Sequence, residues 1–235
     1  MNSHVAPGQA QADAHGRVPA KWRLCLGLAF VALVATYWSH GLESLRLDRD
    51  LAFSGQAWRL LTGHLVHLNM PHLVLNLLAL LLLCELLWRD LHWRHGVGLL
   101  MFSALGVSAA LLAWHPDIAW YTGLSGILHG LWAGCALYGL VVATSAPHTS
   151  VRKENQRQLR WTMHRRICAI AIALLGLKLA SEFYFGPSQR TEQAIGGTVI
   201  AVSHAYGAVS GIIYLLIWQA AKYVRRAALP RFRLK

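Results

Sequence analysis

The string Tyr-Thr-Gly-Leu-Ser-Gly-Ile-Leu-His-Gly-Leu over residues 121–131 places Ser125 in a Gly-x-Ser-Gly setting, with His129 four residues on. A serine becomes a nucleophile when a base takes its proton and fixed donors receive the charge that develops on the attacked oxygen. On a helix His129 leans back over Ser125, because side chains tilt towards the N-terminus, so it is one candidate base. His204 is the other. In "SHAYGAVSG" (203–211) it shares a helical face with Gly207 and Gly211. Gly126, Gly130 and Gly134 recur every fourth residue and form a smooth strip that admits a second helix closely. Contact between the two strips would carry His204 to Ser125. Donors are available from His72 and Asn76, four apart on one face, and from the backbone N–H groups of Gly123 and Leu124 at the positive end of a helix. These are the parts for acyl transfer. No acidic third member stands out, so the expectation is a serine–histidine dyad, with His204 brought to Ser125 by the glycine strips and His129 still open as the base. Taken alone, Gly-x-Ser-Gly is equally a small residue within a packing strip.

Other polar residues compete for attention. His64, His67 and His72 are close enough in sequence to suggest zinc or haem, but no H-E-x-x-H and no nearby carboxylate completes a ligand set. No metal and no cofactor is therefore expected. A plainer reading puts His64 and His67 at the water interface and makes Asn76 an interhelical hydrogen bond. Lys178 and Glu182, also four apart, either pair with each other or let Glu182 reach a substrate or a histidine.

The elements that hold these residues are helices in a bilayer. Of 235 residues, 55% are hydrophobic and 14% charged, too apolar for a soluble domain of this length. Six apolar segments, at 22–40, 68–88, 96–114, 124–144, 166–185 and 198–221, each approach the ~20 residues that cross a bilayer as a helix. The expected fold is all-α: a six-transmembrane-helix bundle over 21–224, preceded by a disordered cytoplasmic tail (1–20) and followed by a basic cytoplasmic tail (225–235). Most of the 22 Lys and Arg then lie on the side of the two tails, which orients the chain. The net charge of +12 is gathered in juxtamembrane clusters that suit anionic lipid, so no nucleic-acid partner is expected. A signal peptide at the first segment is disfavoured by its polar leader and by the Tyr37-Trp38 anchor at its end. Cys25, Cys84, Cys135 and Cys168 fall inside spans without C-x-x-C spacing and read as buried packing.

Trp58-Arg59, His67-x4-His72-x3-Asn76, Gly123-Leu124-Ser125-Gly126 and His204-x2-Gly207-x3-Gly211, in that order across six spans, resemble the rhomboid family of intramembrane serine proteases. The longer strings "YTGLSGILHGL" and "KLASEFYFG…SHAYGAVSG" look most like rhombosortases, a bacterial branch associated with C-terminal Gly-Gly sorting signals. The resemblance implies that Ser125 is the nucleophile and His204 the general base. His72, Asn76 and backbone N–H groups near Ser125 would hold the oxyanion. Trp58-Arg59 would lie in a first periplasmic loop, and His129 would stand where the family usually packs an aromatic on the catalytic histidine. His67, Glu182 and Lys178 are supporting candidates. The family's Glu-x-Arg pair after the second span is replaced by Glu85 and Arg89.

The resemblance also implies a multi-pass protein of the bacterial inner membrane with both termini cytoplasmic. Its substrates would be single-pass membrane proteins with a C-terminal Gly-Gly, an apolar span and a basic tail. They would enter sideways from the lipid bilayer, with room for a partner membrane protein that presents them. Water would arrive past His64, His67 and Asn69. Two alternatives keep the fold: a non-catalytic binder of membrane segments, and a transpeptidase using the same acyl-enzyme.

Overall fold

The computed structural model describes residues 18–38, 40–88, 91–141 and 151–228; most of both expected tails, and Arg89, lie outside them. The described elements are α1 (Ala20–Tyr37), α2 (Gly41–Leu45), β1 (Leu47–Asp48), α3 (Arg49–Phe53), α4 (Arg59–Thr62), α5 (Met70–Leu86), α6 (Trp93–Trp114), β2 (Trp120–Tyr121), α7 (Ser125–Val141), α8 (Val151–Phe185), α9 (Gln189–Ile195) and α10 (Val202–Ala228). Four helices, α1, α6, α8 and α10, are long and apolar enough to cross a membrane. The other two expected spans, α5 and α7, are apolar, with 17 described residues each. Both begin late for a local reason. Asn69 caps α5 by accepting the His72 N–H at 2.9 Å, and Gly123, at φ +109°, turns the chain just before α7.

Helix α7 is the centre of the bundle. Gly126, His129, Gly130, Ala133, Gly134 and Ala136 are all buried, so its surface is small-sided and its neighbours approach closely. The indole of Trp132 donates to the Ala171 carbonyl of α8 at 2.9 Å. The C-terminal ends of α1, α6 and α8 meet the N-terminal ends of α5, α7 and α10 at one face. Thr36 and the His67 ring lie 3.3 Å apart, and His115 and the Tyr206 hydroxyl 2.9 Å apart. Exposed aromatics ring this end at Tyr37, Trp38, Trp114 and Phe183–Phe185, as they do at a membrane interface.

Between α1 and α5 the chain packs as short helices around the buried Arg59. Its guanidinium donates to Gln56 Oε1 at 2.8 Å and to the carbonyls of Glu43 at 3.0 Å and Arg46 at 2.8 Å. Neighbouring Trp58 stays exposed. An antiparallel ribbon, Leu47 opposite Tyr121 and Asp48 opposite Trp120, ties this layer to the segment leading into Ser125.

Several expectations are corrected. Cys25 and Cys84 are joined by a disulfide, because α1 and α5 pack side by side; Cys135 and Cys168 are buried thiols. Glu85 lies 3.9 Å from the Lys21 ammonium. His64 and His67 are each 1% exposed and so do not sit at a water interface or line an aqueous approach. Gly134 faces Leu99 of α6, so only Gly126 and Gly130 form the strip that meets α10.

Candidate active site

The glycine strips bring backbone onto backbone. A methyl group on Gly207 would collide with the Gly126 carbonyl oxygen, and one on Gly211 with that of Gly130. This contact lays the first turn of α10 beside the first turn of α7 and places Ser125 and His204 in the wall of one cleft.

Tyr121 and Thr122 hold the turn into α7. The Tyr121 hydroxyl donates to the Gly123 carbonyl at 3.1 Å and accepts the Gly126 N–H at 3.3 Å. It also lies within hydrogen-bonding reach of the Ser125 and Ser203 side chains. Thr122 donates its hydroxyl to the Val66 carbonyl and therefore does not cap the helix. Sequence reasoning passed over Tyr121, although it stands in the quoted string; a buried hydroxyl four residues before a serine was the available signal.

The expected oxyanion donors divide. The Gly123 N–H is spent on the Gly63 carbonyl at 3.0 Å, and the Leu124 N–H donates to His67 Nε2 at 3.4 Å. Both N–H groups therefore have acceptors outside the cleft. What remains is the Ser125 N–H, which at the first helical position has no intrahelical acceptor, together with His72 and Asn76. His72 Nδ1 accepts the Leu68 N–H at 3.4 Å, so a neutral ring carries its proton on Nε2, against Gly123. A Cβ on Gly123 would stand 2.8 Å from that nitrogen, so glycine here serves both the turn and the approach of the donor. Asn76 spends one amide hydrogen on the His72 carbonyl at 3.0 Å and keeps the other.

His64 donates to the Ala104 carbonyl at 3.0 Å and to Ser108 Oγ at 3.1 Å, on the far side of the segment from His72. Burial holds its imidazole down to about 4. Burial, with His72 adjacent, holds His67 down to about 3. Both rings are neutral structural groups at neutral pH. No group of three His, Cys, Asp or Glu among the described residues is arranged to hold a metal.

His204 is held on two sides. The His129 ring stacks on it with centroids 4.1 Å apart and planes 15° from parallel, while His129 Nδ1 donates to the Ser125 carbonyl at 2.7 Å. On its edge, His204 Nδ1 meets both oxygens of Glu182, at 3.0 and 2.8 Å. Glu182 also accepts from Lys178, one turn earlier on α8. The acidic neighbour that sequence spacing did not assign to His204 is therefore Glu182.

Ser125, His204, His129, His72, Asn76 and Lys178 line a cleft of about 780 Å³. Leu75 of α5 both lines it and is 47% exposed, so the cleft opens sideways onto the apolar outer surface. A family model of the rhomboid domain matches residues 54–220. The chain belongs to the rhomboid family. Rhomboids are generally intramembrane serine proteases acting on transmembrane substrates in the lipid bilayer, and this rhomboid, with its apolar helices, is a multi-pass membrane protein. No curated protein and no solved structure matches it.

Proposed function

We propose that this rhomboid is a six-span serine endopeptidase of the rhombosortase kind, in which Ser125 is the nucleophile and His204 the general base. The observation that carries the reading is a single lateral cleft lined by Ser125, His204, His72 and Asn76. His204 Nε2 takes the Ser125 proton as Oγ attacks the scissile carbonyl. The Ser125 N–H, His72 Nε2 and Asn76 Nδ2 receive the oxyanion, and the proton then goes to the leaving amine. Water repeats the sequence on the acyl-enzyme.

Helices α5 and α7 count as spans in this reading, and the tails are cytoplasmic because the basic residues cluster on their side. The active end then faces the periplasm of a bacterial inner membrane. A segment entering past Leu75 must present an extended peptide bond to Ser125. Gly-Gly at the head of an apolar span unwinds at low cost, since glycine has poor helix propensity and no side chain to hinder attack. That supports a C-terminal Gly-Gly, apolar span and basic tail as the substrate class.

The test is cleavage of such a substrate in proteoliposomes. Ser125→Ala and His204→Ala are each expected to abolish cleavage, and a fluorophosphonate to label wild type on Ser125. Full cleavage by either variant overturns the assignment, and loss of labelling with retained substrate binding supports a non-catalytic binder. A new substrate C-terminus carrying an added amine instead of a free carboxylate would indicate transpeptidation.

A further inference from the structure

We propose that Glu182 is a positioning residue for His204, so that the site works as a Ser125–His204–Glu182 triad with Lys178 holding the carboxylate in place. The inference rests on the Ser125–His204 assignment above. Two constraints fix the His204 ring, and they act in different directions. Stacking by His129, with planes 15° apart, holds the plane of the ring but not its rotation within that plane. His129 cannot set the tautomer either, because its own Nδ1 is occupied by the Ser125 carbonyl. Glu182 supplies what is missing. Its two oxygens lie 3.0 and 2.8 Å from His204 Nδ1, so that nitrogen must carry a proton, and the lone pair is left on Nε2, the edge free to face Ser125.

The charge inventory supports the same role. Glu182 and His204 side chains are 12% and 6% exposed. Lys178 pairs with the carboxylate from one helical turn back, which keeps an intramembrane acid ionised by giving it a cation of its own. When Ser125 Oγ bonds to the carbonyl carbon, its proton moves to Nε2 and the ring becomes a cation against a carboxylate already in place. When the C–N bond breaks, that proton leaves with the amine. Throughout, the Nδ1 proton stays on nitrogen and Glu182 gains none. A bare i, i+4 ion pair on α8 would need no third group, whereas here the carboxylate turns both oxygens to the imidazole edge.

The experiment compares Glu182→Gln, Glu182→Asp and Lys178→Met in full-length protein, by reconstituted cleavage, by the rate of fluorophosphonate labelling and by melting temperature. Glu182→Gln is expected to lower kcat on the order of 10²-fold with KM within about twofold, and to slow labelling in parallel. Glu182→Asp, which keeps the charge, recovers part of the loss. Lys178→Met loses less than Glu182→Gln, because the carboxylate still reaches Nδ1. Wild-type kcat in Glu182→Gln overturns the proposal, as do equal losses in Glu182→Gln and Lys178→Met accompanied by equal falls in melting temperature. Should Glu182→Gln not fold, the wild-type protein decides. The ¹⁵N spectrum of its His204, identified by loss of the signal in His204→Ala, must show the proton on Nδ1, and a proton on Nε2 overturns the proposal. Cleavage surviving in Ser125→Ala or His204→Ala sinks the underlying assignment, whereas loss in both with full activity in Glu182→Gln sinks only the role of Glu182.

Discussion

His129 and His204 lie face to face, and the two rings are held in different ways. His129 sits a turn beyond the serine and donates Nδ1–H to the Ser125 carbonyl, so its position is tied to the serine backbone and not to its hydroxyl. His204 has its Nδ1 on Glu182 and its face on His129, and its remaining nitrogen is uncommitted among the described contacts. His129→Phe keeps a flat ring of similar size on His204 and removes one hydrogen bond of roughly 1 kcal/mol. Turnover in that variant is expected to fall no more than about tenfold, while His204→Ala has none; a dead His129→Phe beside an active His204→Ala would return the base to His129. That Ser125 and His204 line one cleft was legible in sequence because glycine spacing marks close-packed helix faces. The contact of Glu182 with His204 was not legible. It depends on where the end of α8 falls beside the start of α10, which is set by the chain between residues 186 and 201 and leaves no periodic trace. The same holds for the Gly123 and Leu124 amides, whose acceptors, Gly63 and His67, lie far back in the chain.

At the level of elements, the contact between α7 and α10 decides whether the site exists. Gly207 rests on the Gly126 carbonyl, and there is no room for a side chain between them. Gly207→Ala must push α10 away from α7, an overpacking cost of about 1–3 kcal/mol, which lowers the melting temperature of a chain this size by roughly 5 °C. Because His204 is one turn away on the same face, turnover should fall by more than stability alone explains. Gly176→Ala is the control, since a methyl there meets nothing within 4 Å. Equal effects of the two substitutions, in thermal melts and in cleavage, would mean that the glycine contact does not position His204. The apolar stretches forecast α1, α5 and α6 to within three residues and the start of α7 to within one, whereas α10 begins four residues later and runs seven further than its 198–221 stretch. The forecast was poorest for α8, whose 166–185 segment is the apolar end of a 35-residue helix. Hydropathy locates where a helix meets lipid, and the charged residues 151–165 continue the same helix without any break in hydrogen bonding.

The whole molecule reads as a wall with one seam. Most of the polar groups around Ser125 are sealed between α5, α7 and α10, but the cleft also runs between α5 and the α9–α10 connection, where Leu68, Leu75, Ile195 and Ile200 line it. Across this seam a long side-chain hydrogen bond runs from Asn69 Nδ2 to the Ala194 carbonyl at 3.4 Å. The Arg59-centred layer and the ribbon from Leu47–Asp48 to Trp120–Tyr121 brace the opposite side, so opening for a membrane segment falls to the seam. A transmembrane helix is about 10 Å across, and we propose that it reaches Ser125 only when α5 and α9 separate. A fluorophosphonate is far smaller than a helix and needs no such separation. Joining the seam by oxidation of an Asn69→Cys, Ala194→Cys double variant is therefore expected to cut cleavage of the transmembrane substrate at least tenfold, by about 1.4 kcal/mol or more, and to leave probe labelling of Ser125 near its wild-type rate. Reduction should restore cleavage, with the parent protein carried through the same treatment because Cys25–Cys84 is reduced as well. If the cross-linked protein still cleaves at full rate, the segment enters elsewhere; if labelling is lost with cleavage, the cross-link has distorted the site and α5 cannot be the moving wall.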